Sequence, residues 1–191
     1  MAPPGGETLN ISVLFVDIRG FTSLAEQLEP AEVATQLNRF YKTASNAIFH
    51  HDGTLDKLVG DQVMAFFGAP IGREDHAKRA VATASEIMRE SLAAASVDRL
   101  GIGIGIATGE AFVGNVGGGE VADYTVIGDT VNVAARLQGE AAAGEILISQ
   151  ETYALVVMEF PYAKRHELLL KGKSEPVIAW EITQDSPFRG R

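Results

Sequence analysis

Residues 53–68, GTLDKLVGDQVMAFFG, predict two short strands joined by a tight turn. Gly60 and Asp61 form the turn, because glycine takes the positive φ that a two-residue hairpin of this type needs. Upstream, the nearly continuous apolar run SVLFVD, Ser12–Asp17, is typical of a strand that is buried on both faces. A hairpin and a buried strand are therefore the first predicted parts of a sheet.

Helical periodicity follows each of these strand regions. Glu29-Pro30 predicts the start of a long helix, since proline suits the first turn. The apolar residues of this helix recur at helical spacing, and they are Val33, Leu37, Phe40, Tyr41, Ala44 and Ile48. Glu74 and Asp75 favour the start of a second long helix, because acidic side chains stabilise the positive end of the helix dipole. Its predicted inner face consists of Ala77, Ala80, Val81, Ala84, Ile87 and Met88.

The second half of the chain predicts further strands around two shorter helices. Strands are expected at 100–107, 111–116 and 124–127, with a glycine-rich bend before the third. Asp129 is the expected N-cap of a helix over residues 130–138. Additional strands are expected at 145–149 and within 168–182, around a short helix.

The order strand, helix, strand, strand, helix, strand indicates an α+β sandwich. We expect a mainly antiparallel sheet of the split βαβ, or ferredoxin-like, type, with the helices on one face and extra C-terminal strands. Residues 11–183 are expected to form one domain, with flexible ends at 1–10 and 184–191.

Composition restricts the class of protein. The 191 residues are 46 % hydrophobic and 21 % charged, which is typical of a soluble globular domain. A net charge of −9 argues against nucleic acid as the main partner, because nucleic-acid binding usually needs a basic face. The absence of cysteine excludes disulfides and thiolate metal sites and suits a cytoplasmic location. The sequence holds no apolar run of membrane-spanning length, so we expect no direct membrane contact by this domain. We expect a cytoplasmic domain, either on its own or as the cytosolic part of a larger protein.

Asp17 and Asp61 are candidate metal ligands, because each lies at the end of a predicted strand. If the two strands are neighbours in the sheet, both carboxylates converge on one point. Hard cations such as Mg²⁺ or Mn²⁺ bind paired carboxylates of this kind. The residues alone favour about equally the alternative that each aspartate only caps a turn.

Three other polar residues could bind a ligand. Asn132 and Arg136 lie four positions apart and share one helix face, where an amide and a guanidinium suit a ribose and a phosphate. Spacing alone favours a solvated helix face instead. Alternation along the strand places Lys57 with Leu55 and Val59 on an apolar side. Its ammonium either extends into solvent or meets an acceptor such as a ligand ring nitrogen.

Four segments together resemble the catalytic domain of the class III adenylyl and guanylyl cyclases, over about residues 12–182. Their order and spacing agree with that family, and they are VDIRGFT around Asp17, KLVGDQVMAFFG around Asp61, YTVIGDTVNVAAR ending at Arg136, and LLLKGKSEPV near the C-terminus. The resemblance implies an adenylate cyclase that converts ATP to 3′,5′-cyclic AMP and pyrophosphate. It also implies a homodimer, because in this family each active site takes residues from both subunits.

The same resemblance implies a role for each matched residue. Asp17, Asp61 and the backbone carbonyl of Ile18 are implied to bind two divalent metal ions, Mg²⁺ or Mn²⁺. The residues implied to contact the substrate are Lys57 and Thr125 at the purine edge, Asn132 at the ribose, Arg136 at the α-phosphate and Lys171 at the outer phosphates. These roles suit the reaction, in which the ribose 3′-hydroxyl attacks the α-phosphorus and positioning and charge stabilisation dominate.

Thr125 departs from many family members, which carry an aspartate at this position. Threonine here resembles a subgroup described as bicarbonate-responsive, so bicarbonate regulation is a hypothesis. A hydroxyl can donate as well as accept a hydrogen bond, and we expect it to discriminate between bases less sharply than a carboxylate. The alternatives are a guanylate cyclase, against which Lys57 argues, and a catalytically silent regulatory domain, against which the complete set of matched residues argues.

Overall fold

The computed structural model describes residues 5–94, 100–118 and 121–183, which form eight strands and five helices. The strands are β1 (Glu7–Ile18), β2 (Thr54–Val59), β3 (Gln62–Phe67), β4 (Ile102–Gly118), β5 (Val121–Ile127), β6 (Glu145–Ser149), β7 (Lys164–Leu168) and β8 (Val177–Ile182). The helices are α1 (Phe21–Ala25), α2 (Pro30–His50), α3 (His76–Ala93), α4 (Asp129–Glu140) and α5 (Gln150–Val156). Within the described ranges, no helix is both long and apolar enough to cross a membrane.

One sheet contains all of these strands, in the order β2-β3-β1-β4-β6-β8-β7, and β5 pairs with the C-terminal part of β4. The β4–β6 pair is parallel, and the other pairs of described strands are antiparallel. β1 lies between β3 and β4 and is covered on both faces, which accounts for its continuous apolar sequence. The predicted α+β fold with a mainly antiparallel sheet is confirmed.

Helices cover both faces of the sheet. Leu14 and Val16 of β1 face the core beneath α2, α3 and α5, whereas Val13 and Phe15 face the opposite side, which α4 covers. The prediction of helices on one face therefore holds for α2, α3 and α5 but not for α4. α4 can pack closely on the opposite face because position 105 is glycine, where a Cβ would collide with the α4 backbone. Glycine at this position lets the strand and the helix touch through their main chains.

The predicted hairpin and the starts of the two long helices are confirmed. β2 and β3 are joined through Gly60, which has a φ of 57°, and Asp61. α2 begins at Pro30, directly after its N-cap Glu29, and α3 begins at His76, directly after Asp75. All six residues predicted for the inner face of α3 are buried.

Several predicted boundaries were wrong. β1 begins at Glu7 rather than Ser12, so residues 7–10 belong to a strand and not to a flexible end. The strands expected at 100–107 and 111–116 are one strand, because β1 pairs with β4 without a break along its whole length. β7 begins at Lys164, before the range expected from the sequence. The N-cap of α4 is Gly128, while the Asp129 carboxylate pairs with Lys173 at 2.7 Å instead of capping the helix.

Some predictions concern residues outside the described ranges. These are the flexible ends over residues 1–4 and 184–191 and part of the glycine-rich bend, at residues 119–120. The single-domain division of the chain, over 11–183, stays a prediction.

Candidate active site

Two carboxylates meet at the C-terminal end of β1. Asp17 is the penultimate residue of that strand, and Asp61 lies in the turn between β2 and β3. The Ile18 amide donates a hydrogen bond to the Asp61 carbonyl at 3.1 Å, which fixes the turn against β1. The structure therefore brings together the two aspartates and the isoleucine that the sequence predicted as metal ligands.

The Asp17 carboxyl lies in an environment that disfavours its charge. Burial, followed by hydrogen bonding and charge repulsion with Asp61, raises the pKa of Asp17 to about 6. Asp17 Oδ1 is buried and is left without a hydrogen-bond partner in the described part of the chain. Two close carboxylates with an unpaired buried oxygen are what a divalent cation with oxygen ligands would neutralise. These residues therefore fit a divalent metal site.

Arg19 connects this end of β1 to the C-terminal end of α4. Its guanidinium lies 3.5 Å from Asp17 Oδ2, and its Nε donates to the Ala141 carbonyl at 2.8 Å. The Arg19 side chain lies across Gly103, where a Cβ would be 2.6 Å from Nε. Sequence reasoning gave Arg19 no role, although its place two residues after Asp17 was a usable signal. The arginine partly offsets the charge of Asp17 and ties the carboxylate end of the sheet to α4.

A second polar cluster joins β2 to β5, two strands that are not neighbours in the sheet. Lys57 Nζ donates to Thr125 Oγ1 at 3.3 Å, so the two residues predicted at the purine edge are in contact. Asp56 completes the cluster, because it accepts hydrogen bonds from Lys57 Nζ at 2.7 Å and from Thr125 Oγ1 at 2.6 Å. Sequence reasoning missed Asp56, although an acidic residue directly before the unusual lysine was a signal.

A β-bulge at Asp56 overturns the predicted side of Lys57. The register passes from Leu55 opposite Ala65 to Lys57 opposite Met64, so Asp56 is the extra residue. Because Ala65 and Met64 face opposite sides of β3, Leu55 and Lys57 also lie on opposite sides. The prediction that Lys57 shares an apolar side with Leu55 was wrong, since the bulge interrupts the alternation.

The predicted ribose and phosphate residues lie on and beside α4. Asn132 is exposed and Arg136 is half-buried on this helix. Arg136 lies close to Gly172, where a Cβ would be 3.3 Å from a guanidinium nitrogen. Gly172 and the exposed Lys171 form a tight turn, closed by a hydrogen bond from the Lys173 amide to the Leu170 carbonyl at 3.0 Å. The structure thus places Arg136 next to the turn that carries Lys171.

The predicted site residues lie at three places in the described part of the chain. These are the carboxylate pair at the end of β1, the Lys57–Thr125 contact between β2 and β5, and the residues on and beside α4. Among the described residues, neither Asp17 nor Asp61 makes a hydrogen bond or an ion pair with any predicted substrate residue.

Comparison with known proteins identifies the family. The family model described as the adenylate and guanylate cyclase catalytic domain matches residues 6–184. This chain belongs to that family. The guanylyl cyclase Cya2 is 35 % identical to the cyclase domain, with a TM-score of 0.86 over 97 % of this chain and 98 % of that chain. The adenylyl cyclase CyaB from P. aeruginosa is 36 % identical, with a TM-score of 0.84 over 96 % of this chain and 100 % of that chain.

The cyclase domain also resembles parts of longer proteins. An uncharacterised protein of Mycobacterium bovis is 41 % identical to it over 189 residues, which is 97 % of this chain and 30 % of that protein. The cyclase domain therefore spans less than a third of the length of this relative. Class III cyclases generally use divalent metal ions, which agrees with the carboxylate pair. The predicted family is confirmed, while similarity to adenylyl and guanylyl cyclases is about equal and does not distinguish ATP from GTP.

Proposed function

We propose that the cyclase domain is an adenylate cyclase, which converts ATP to 3′,5′-cyclic AMP and pyrophosphate. The observation that carries this proposal is the 3.3 Å contact between Lys57 Nζ and Thr125 Oγ1. Adenine presents a ring-nitrogen acceptor beside an amino donor, which complement an ammonium donor and a hydroxyl acceptor. Guanine presents an N–H donor and a carbonyl acceptor at the same two positions, so the lysine would face a donor. The alternative, a guanylate cyclase, is supported by the similarity to Cya2.

The residues on and beside α4 suit the chemistry of the proposed reaction. The ribose 3′-oxygen forms a bond to the α-phosphorus, its proton is lost to water, and the bond from that phosphorus to the pyrophosphate oxygen breaks. Asn132 would orient the ribose by hydrogen bonding. Arg136 would stabilise the charge that develops on the α-phosphate, and Lys171 would bind the leaving pyrophosphate. Positioning and charge stabilisation are then the main contributions of the protein.

The carboxylate pair would supply the metal-binding half of the site. Asp17, the Ile18 carbonyl and Asp61 would bind two divalent ions, Mg²⁺ or Mn²⁺, which when bound acidify the 3′-hydroxyl and neutralise the triphosphate. The fit rests on the raised pKa of Asp17, which is about 6, and on its unpaired buried oxygen. Loss of the Asp17 proton prepares both oxygens as ligands.

We propose that two copies of the domain form the active sites. The support is the dimer with shared sites that the family resemblance implies. In a two-fold dimer each site would combine the carboxylates of one subunit with Lys57, Thr125, Asn132 and Arg136 of the other. Such a dimer has two equivalent sites.

The decisive assay uses the purified domain with Mn²⁺ and either ATP or GTP, and identifies the product by mass. We expect cyclic AMP as the main product. An Asp61→Ala variant serves as the control for contaminating cyclases, because its side chain lies in a turn and its loss removes a metal ligand with little packing. Preferential formation of cyclic GMP from GTP would contradict ATP specificity. The absence of a cyclic product from either nucleotide would contradict cyclase activity.

Bicarbonate regulation and a cytoplasmic location are further proposals about the same enzyme. Bicarbonate stimulation rests on the threonine at position 125 and its resemblance to the responsive subgroup. Equal initial rates with and without bicarbonate, at fixed pH and ionic strength, would contradict it. A cytoplasmic location agrees with the cysteine-free composition and with a supply of ATP.

A further inference from the structure

The Asp56 carboxylate is buried at the bulge of β2. Its side chain is 1 % exposed, although carboxylates are rarely fully buried unless they are paired. One of its oxygens accepts from Lys57 Nζ at 2.7 Å and the other from Thr125 Oγ1 at 2.6 Å. Within the described ranges, both side-chain partners of Asp56 are thus predicted substrate residues. Among the described residues, the Asp56 carboxylate therefore stabilises this cluster and does not link it to other side chains of the fold.

The hydrogen bond to Asp56 decides what the Thr125 hydroxyl can offer to a ligand. A hydroxyl has one proton, and a carboxylate can only accept, so the Thr125 proton is committed to Asp56. Lys57 donates to Thr125 Oγ1 at 3.3 Å and occupies one of its two lone pairs. The remaining lone pair of Oγ1 can only accept a hydrogen bond. Threonine in this cluster therefore behaves as a pure acceptor, as the carboxylate of many family members would.

We propose that Asp56 is a specificity-determining residue, which orients the Thr125 hydroxyl as an acceptor for the amino group of a 6-aminopurine nucleotide. A 6-oxopurine presents a carbonyl oxygen at that position, which would face the Thr125 oxygen with no proton between them. Leaving two acceptors unpaired in this way costs affinity. The inference rests on the proposed adenylate cyclase activity and identifies how its base preference is set.

An Asp56→Asn variant tests this role with little change of shape. Lys57 is donor-only and takes the amide oxygen, so the amide nitrogen turns towards Thr125 and donates to it. The Thr125 proton is then free to point towards the base and can bond a carbonyl. We expect the ratio of kcat/KM for ATP to that for ITP to fall about tenfold, the effect of one hydrogen bond. ITP is the sharper probe than GTP because it lacks the 2-amino group.

Asp52→Asn is the matched control. It makes the same charge change at a side chain that is 69 % exposed, and asparagine tolerates the positive φ of 54° at that position. We expect this variant to keep the ATP to ITP ratio of the wild-type protein. A purely structural role of Asp56 would lower kcat/KM for both nucleotides and leave the ratio unchanged, which would overturn the proposal.

Variants of Thr125 complete the test and do not depend on the folding of the Asp56 variant. Thr125→Ser keeps the hydroxyl and should keep the ATP to ITP ratio, whereas Thr125→Val should lower it by about as much as Asp56→Asn. Adding Asp56→Asn to Thr125→Val should change the ratio no further, because the two residues act through one hydroxyl. An unchanged ratio in Thr125→Val, or an additive loss in the double variant, would overturn the proposal.

These outcomes separate the inference from the proposed function. A wild-type protein that forms no cyclic nucleotide, or that prefers ITP and GTP to ATP, contradicts the adenylate cyclase activity itself and with it the role of Asp56. Suppose instead that the wild-type protein prefers ATP and that Asp56→Asn changes the ratio of kcat/KM for ATP to that for ITP by less than about twofold. This result contradicts only the role of Asp56.

Discussion

At the scale of single residues, the proposed metal binding by Asp17 conflicts with stability. Its carboxylate is 22 % exposed, lies beside Asp61 and has an unpaired buried oxygen. Ionisation of Asp17 is therefore unfavourable in the metal-free folded chain, as its raised pKa of about 6 indicates. Ionisable groups with pKa values perturbed in this way occur at functional sites more often than elsewhere. The metal-free domain is then less stable than its sequence would otherwise allow.

Asp17→Asn should stabilise the metal-free domain while it abolishes turnover. At pH 8, Asp17 is charged in both the folded and the unfolded chain, and only the folded chain bears the cost of its burial. We expect the free energy of unfolding to rise by about 1–3 kcal/mol in the presence of a chelator. Denaturant unfolding and the cyclase assay measure the two effects.

The pH dependence of this gain follows from the direction of the pKa shift. A raised folded-state pKa means that Asp17 contributes stability at pH values below its unfolded value of 3.8, and this contribution is lost as pH rises through about 6. The gain from Asp17→Asn should therefore be near zero below pH 4, grow between pH 4 and pH 6 and be constant above. A gain that is independent of pH would mean that burial of charge is not its cause.

At the scale of elements, the position of α4 depends on glycines of β4. A Cβ at Gly105 would collide with the backbone of Ala134 and Gln138, and a Cβ at Gly109 would lie 2.7 Å from Thr130 Oγ1. α4 carries Asn132 and Arg136, so any displacement of the helix moves both predicted substrate residues. The glycine contacts therefore connect the packing of the sheet to the geometry of the site.

Gly105→Ala should destabilise the domain and lower its activity. The added methyl group has no space between β4 and α4, so we expect a loss of about 1–3 kcal/mol in the free energy of unfolding. A shift of α4 by about 1 Å would lower kcat by roughly a hundredfold. Thermal unfolding and initial rates with ATP measure both effects.

Gly139→Ala is the matched control, on α4 itself. A Cβ there meets nothing within 4 Å, and alanine is the better helix former, so we expect unchanged activity and a gain of about 0.5–1 kcal/mol. Equal behaviour of the two variants would show that the close approach of α4 to β4 does not position the site.

At the scale of the whole molecule, the proposed dimer determines whether activity is possible. Asp17 lies near the end of β1 and Arg136 lies on α4, and within the described ranges no hydrogen bond or ion pair joins them. In a two-fold dimer with shared sites, each site takes Asp17 from one chain and Arg136 from the other. Two inactive variants can then complement each other.

Co-expression of Asp17→Ala with Arg136→Ala should restore activity that neither variant has alone. In a mixed dimer, one site combines both lesions and the other combines both intact halves. Random pairing makes about half of the dimers mixed, each with one intact site, so we expect roughly a quarter of the wild-type rate. The rate should fall on dilution below the dimer dissociation constant. Inactive heterodimers, purified through two different tags, would refute shared sites even if cyclase activity itself is shown.

The sequence alone determined much of the local structure and predicted the residues of the candidate site, whose roles stay predictions. The turn at Gly60 and Asp61, the start of α2 at Pro30 and the inner face of α3 follow from φ preferences and helical periodicity, which act between residues close together in the chain. The motifs around Asp17 and Asp61 indicated the family for the same reason, because each is contiguous. These features need no knowledge of distant contacts.

The tertiary structure alone decided the features that depend on strand pairing and close approach. The bulge at Asp56 arises from the register between β2 and β3, so alternation misplaced Lys57 and gave no role to the buried carboxylate. Its contact with Thr125 joins strands that are 69 positions apart in sequence. The close packing of α4 on β4 depends on Gly105, whose missing side chain matters only once helix and strand meet. The periodicity of residues within a segment does not predict such contacts, because the contacts depend on the backbone geometry between segments.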